Sequence, residues 1–164
     1  MSPDTARLVV LLAEVRADRA ALEDQVRRVR GALASDGWDP DGAILAVVAV
    51  ALHHYYGAAE SIFERIAKCF EGVPARADRW HRELLDRMAL ELDGLRPALI
   101  GPETRRGLGE LLAFRHFFRH AYAVALDPAR LRERAEDLIR VHAMLAADLE
   151  DFERVMAAAA GAQP

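Results

Sequence analysis

The sequence predicts an all-α protein, an antiparallel bundle of about five helices. Three observations carry that expectation. Apolar residues make up 52% of the 164 positions but aromatics only 7%, so the apolar share is mostly Ala, Leu and Val, which suits close-packed helices better than sheets. No stretch alternates with the period of two that marks a half-buried strand. Clusters of turn formers divide the chain into stretches of helical length, with no repeats and no glycine-rich phosphate loop after a strand. A chain this long can bury one sizeable core, so a single domain over residues 1–164 is expected.

The first helix is expected over residues 4–34, with Asp4 or Thr5 as its cap and a solvated face dense in Arg, Glu and Asp. Ser35-Asp36-Gly37-Trp38-Asp39-Pro40-Asp41-Gly42 breaks it, and Asp41 can cap the next helix. That helix, expected over 43–71, opens with ten consecutive apolar residues from Ala43 to Leu52, apolar all round and so a core element. Gly57 stands among bulky neighbours in it, which predicts a close helix approach there. Gly72-Val73-Pro74 ends it, and a third helix is expected over 79–92. Gly94, Pro97, Gly101 and Pro102 punctuate the next connection, and a fourth helix is expected over 103–125. Asp127-Pro128 supplies a cap and a first-turn proline for a fifth, over 128–159.

The formal net charge is −4, so the chain as a whole does not attract nucleic acid, and any RNA-binding role needs a local basic site. The single cysteine, Cys69, forms no intramolecular disulfide framework and fits a reducing compartment. The N-terminus has no basic segment followed by an apolar one, and the longest apolar run falls short of the ~20 residues that span a bilayer. A cytoplasmic location is expected.

The fourth helix carries the local basic site. At about 100° per residue, Phe114, Phe117, Phe118, Ala121 and Ala125 fall on one apolar side. Arg115, Arg119, His116 and His120 fall in that order across roughly 140° of the other, and Tyr122 returns close to Arg115. Two guanidiniums, two imidazoles and a phenol, with no acid among them, suit a phosphate. The spacing of Arg and His alone means little: composition gives about 0.8 chance occurrences of an Arg five residues before a His. Arg76/His81 is a second such pair, which crosses a loop-to-helix boundary and has Glu83 where Tyr would stand. Requiring the Tyr lowers the chance expectation to roughly 0.01–0.02, and only Arg115-x4-His120-x-Tyr122 meets it.

That motif resembles the R-x4-6-H motif of HEPN domains, in the R-x4-H-x-Y form of HepT-type toxins. Leu52 to Lys68 and Trp80 to Leu85 look like the neighbouring helices of a HepT-like subfamily, and the similarity covers residues 43–135. The resemblance implies a helical bundle that homodimerises with two motif helices facing one composite cleft. It implies a toxin of a type VII-like toxin–antitoxin pair that cleaves RNA without a metal or other cofactor. Its antitoxin partner would be a minimal nucleotidyltransferase that transfers AMP to Tyr122. Arg115 and His120 would be catalytic, and Arg119 and His116 would bind neighbouring phosphates. His116 departs from the small polar residue usual after the motif Arg. The alternative reading is a non-catalytic HEPN-type module that binds a nucleotide or its nucleotidyltransferase.

The residue chemistry agrees. His120 can act as base or acid near neutral pH, and Arg115 can donate a bidentate pair to phosphate. His116 and His120 at i, i+4 could hold a metal, but two flanking cations oppose it and no third ligand stands on the helix, so no metal site is expected. His53-His54-Tyr55-Tyr56 is expected to pack between helices rather than catalyse. Glu60 and Arg65 are expected to anchor the motif helix by buried pairing rather than lie on the surface. Trp38 and Trp80 are expected as packing anchors, and Cys69 as a buried, inert thiol.

Overall fold

The computed structural model describes residues 3–39, 42–72, 79–120 and 126–161. Its five helices are α1 (Pro3–Leu33), α2 (Ala43–Phe70), α3 (Trp80–Met88), α4 (Pro102–His120) and α5 (Pro128–Gly161). The all-α reading holds, and among the described residues there is no strand, only an isolated bridge between Leu92 and Arg96. Cross-helix partners give the directions. Arg65 meets Glu14 and Asp18 across α1 and α2, and Arg16 and Arg19 meet Glu153 across α1 and α5. Glu60 and His53 on α2 face Arg115 and Phe118 on α4. α2 and α4 are antiparallel, since Glu60 meets Arg115 and His53 meets Phe118, and so are α1 and α5, where Arg16 meets Glu153 and Glu23 meets His142. α2 touches all four other helices and is the hub of the bundle.

Prolines open three helices, at Pro3, Pro102 and Pro128, where a missing N–H costs nothing. Thr5 therefore sits inside the first turn of α1 rather than at its cap. Asp127 does cap α5: its side chain accepts from the N–H groups of Ala129 (2.9 Å) and Arg130 (3.1 Å). The cap position of α2 is Gly42, in extended backbone with no side-chain bond; Asp41 lies outside the described residues.

α2 has the length and mean hydropathy of a membrane-crossing helix, and half of its most apolar window is buried in the bundle. Its opening run is not buried all round. Leu45, Val48, Ala49, Ala51 and Leu52 face the core, while Val47 and Val50 remain 46% and 42% exposed.

α3 stops at Met88, short of the expected end, because Arg96 intervenes. Its fully buried guanidinium donates to the carbonyls of Arg87, Leu90 and Pro97 and to Glu71. These bonds satisfy carbonyls that a continued helix would have used. Leu99 and Ile100 then donate to the Met88 carbonyl, which leads the chain into α4.

The close approaches lie on α4 and not at Gly57, which has open space around its missing side chain. A Cβ on Gly107 would clash with Val141 Cγ2 on α5, and one on Gly109 would lie 2.7 Å from Arg82 Nη1 on α3. Asp148 of α5 accepts from the Gly101 N–H (3.0 Å) and the Thr104 hydroxyl (2.5 Å) at the start of α4. The helix carrying the motif is therefore fixed at its N-terminus and pressed tightly against two neighbours.

Candidate functional site

The line of α4 that faces the core runs through Thr104, Leu108 and Leu111, at i, i+4 and i+7. Continued by one more turn, it reaches Arg115. The side chain of Arg115 is accordingly only 15% exposed. The aromatic side of the helix lies about a quarter turn away: Phe114 and Phe118 are half-buried, pack against the core and stack on each other at 6.0 Å, and Phe117 is 47% exposed. The upstream turns set the rotation of the helix, and they turn the motif arginine, beside these two phenylalanines, toward the bundle.

α2 supplies the opposing wall. His53, Tyr56 and Glu60 stand at i, i+3 and i+7, a single stripe on its surface. Glu60 is buried, with Oε1 4.0 Å from Arg115 Nη2 and Oε2 2.5 Å from His81 Nδ1 on α3. Tyr56 is fully buried, its ring centroid 5.9 Å from the Arg115 guanidinium carbon. Burial, then the charge of Glu60, pushes its pKa well above the ordinary phenol value, so the hydroxyl keeps its proton. The Tyr56 hydroxyl, Arg115 Nε and His53 Nδ1 are all buried without a hydrogen-bond partner.

His53 lies with its ring 5.8 Å from Phe118 and 5.6 Å from His54. Its pKa falls below the ordinary 6.5, first through burial and then through the cations Arg115, His54 and Arg119. This stripe is thus more than packing, and His53 belongs electrostatically to the motif surface. His116 and Arg119 are exposed. His120 is the last described residue of α4; its side chain, all of Tyr122 and the expected continuation of the helix to residue 125 lie outside the described residues.

Glu60 is buried and faces the motif helix, but its direct partner is His81 of α3, with Arg115 standing 4.0 Å off. Arg65 does not anchor that helix: it pairs with Asp18 (2.5 Å) and Glu14 (3.1 Å) of α1 and ties α1 to α2 instead. Trp38 donates to the Ala32 carbonyl at 3.0 Å and lies under Arg132, a loop anchor. Cys69 is half-buried, and burial raises its pKa, which disfavours the reactive thiolate. Among the described residues no three His, Cys, Asp or Glu side chains gather as a metal site would require.

Sequence reasoning missed His81. The signal was present in the pattern of α3, where His81 shares one stripe with the buried Leu84, Leu85 and Met88 at i, i+3, i+4 and i+7. A histidine on the inward face of a short amphipathic helix needs a polar partner, and Glu60 is that partner.

No curated protein and no solved structure matches the chain. A family model, described as HepT-like protein, matches residues 47–156, which adds most of α5 to the stretch whose resemblance the sequence carried. With its motif helix packed against α2, α3 and α5 and with two thirds of its length covered by that match, the chain belongs to the HepT-like family, whose context is that of toxin–antitoxin ribonucleases.

Proposed function

We propose that this chain is the toxin of a HepT/nucleotidyltransferase pair, a metal-independent endoribonuclease acting in the cytoplasm as a homodimer. One observation carries the reading: Arg115 is sheltered yet incompletely paired. Among the described residues, its nearest paired carboxylate oxygen is 4.0 Å away and its Nε has no partner. A sheltered guanidinium in that condition is costly unless an anion completes it, and a phosphodiester offers two oxygens in the geometry its fork accepts.

In the reaction, the RNA 2′-oxygen attacks the adjacent phosphorus and the P–O5′ bond breaks. His120 of one copy takes the 2′-hydroxyl proton and His120 of the second copy gives a proton to the departing 5′-oxygen. The products are a 2′,3′-cyclic phosphate and a 5′-hydroxyl. Arg115 meets the charge that develops on the phosphorane oxygens, while Arg119 and His116, both exposed, hold flanking phosphates. One motif helix supplies one imidazole in each role, which is why a two-fold pair is needed. The half-exposed aromatic side of α4 is available to that second copy. AMP on Tyr122 would place an anion beside Arg115 and occupy it.

Expression in a heterologous cell tests the toxin reading. Growth should arrest with the wild type and continue with Arg115→Ala or His120→Ala. Co-expression of a minimal nucleotidyltransferase should restore growth and add one adenylyl group to Tyr122 by mass spectrometry. Unimpeded growth with an abundant, folded and unmodified wild-type protein would contradict the proposal and favour the non-catalytic module.

A further inference from the structure

Glu60 is a buried carboxylate with two cationic neighbours on different helices. Its Oε2 is 2.5 Å from His81 Nδ1, and its Oε1 is 4.0 Å from Arg115 Nη2. An ionised carboxylate only accepts hydrogen bonds, so the shorter contact requires a proton on Nδ1. The longer contact is an attraction without a hydrogen bond. A shift of about 1 Å would close it into a direct charge-assisted pair, and that pair would compete with any phosphate for the same guanidinium.

We propose that His81 is a positioning residue for Arg115 and acts through Glu60. By donating to Oε2 it holds the carboxylate on the α3 side, keeps the Glu60–Arg115 pair open, and leaves Arg115 donors for an RNA phosphodiester. The proposal deepens the ribonuclease reading and rests on it for the identity of the ligand. Loss of the donor leaves the carboxylate to Arg115 alone. Around this unit stand Tyr56 and His53 of α2, Arg82 and Asp86 of α3, which act on Tyr56, and Arg119 of α4, which acts on His53. None of them hydrogen-bonds Glu60 among the described contacts.

The test uses a 2′-deoxy oligonucleotide, which has no 2′-hydroxyl to attack and whose phosphodiesters do not titrate near neutral pH. Its affinity is measured beside the cleavage rate of the matching RNA. His81→Ala should weaken deoxyoligonucleotide binding about tenfold and slow RNA cleavage at least as much. His81→Asn, whose amide nitrogen branches where imidazole Nδ1 does, should recover most of both. Adding Glu60→Gln to His81→Ala should restore binding, because the competitor for Arg115 is gone. Should His81→Ala fail to fold, His81→Phe, which keeps a ring and removes the donor, carries the test with the same expected loss of binding.

Wild-type behaviour of a folded His81→Ala or His81→Phe would overturn the proposal, as would a loss of binding that Glu60→Gln does not relieve. The two readings separate cleanly. If the wild type cleaves no RNA while the His81 and Glu60 effects on binding persist, the ribonuclease falls and the positioning role stands. If the wild type cleaves RNA and His81→Ala cleaves it equally well, the positioning role falls and the ribonuclease stands.

Discussion

His53 shows what the site costs at the level of one residue. Burial and then the cations Arg115, His54 and Arg119 lower its proton affinity relative to the unfolded chain. Unfolding therefore takes up a proton in the window below the ordinary pKa of 6.5. The stability present above that value is lost as pH falls through the folded pKa. Taking the protein from about pH 7.5 to about pH 5.5 should lower the Tm of the wild type more than that of His53→Gln, measured by calorimetry. An equal decline in both would contradict the assignment. The residue types at the site were legible in the sequence, since Arg115, Arg119 and His116 stand where helical periodicity put them around α4. Their depth was not. Which of them turns inward depends on Thr104, Leu108 and Leu111 one to three turns earlier.

At the scale of elements, glycine separates what a sequence shows from what packing adds. Gly57 looked like a contact point because its neighbours are bulky, yet it has open space; Gly107 drew no attention and is the tight one. The reason is that a glycine's role is written in the partner helix, here Val141 of α5. Gly57→Ala should stabilise the protein by about 0.5–1 kcal/mol through helix propensity and a less flexible unfolded chain. Gly107→Ala should instead destabilise it by about 1–3 kcal/mol, because the β-branched Val141 cannot swing aside. At roughly 2–4 °C of Tm per kcal/mol for a protein of this size, thermal denaturation resolves the opposite signs. Two shifts of the same sign would contradict the packing described. Helix ends follow similar logic. The Asp127-Pro128 start was legible because cap and helix are local, whereas the end of α3 depends on the distant Arg96 and Glu71.

At the scale of the molecule, the arrangement explains how an acidic protein can carry a phosphate site. The net charge is −4, but acids and bases are largely paired across helices, as in Arg16 and Arg19 with Glu153, Arg65 with Glu14 and Asp18, and Arg134 with Glu110. α4 turns Arg115 toward a stripe of α2 whose buried acid, Glu60, is shared with His81, and carries Arg119 and His116 exposed beside it. α2 touches every other helix, so it can hold that acid and the motif helix in register at once. The all-α class and the number of helices were legible because composition and turn formers are whole-chain properties. The three-helix meeting of Glu60, His81 and Arg115 was not, since no spacing within one helix reveals what two others bring to it.

The central claim is that Arg115 and His120 cleave RNA without a metal. Incubating total cellular RNA in EDTA with purified wild-type protein, beside Arg115→Ala and His120→Ala, tests it most directly, once mass spectrometry has shown Tyr122 unmodified. The account predicts cleavage by the wild type, fragments ending in 2′,3′-cyclic phosphate, and loss of at least a hundredfold in rate in each variant. Intact RNA with the folded wild type, or cleavage that survives both substitutions, would contradict it.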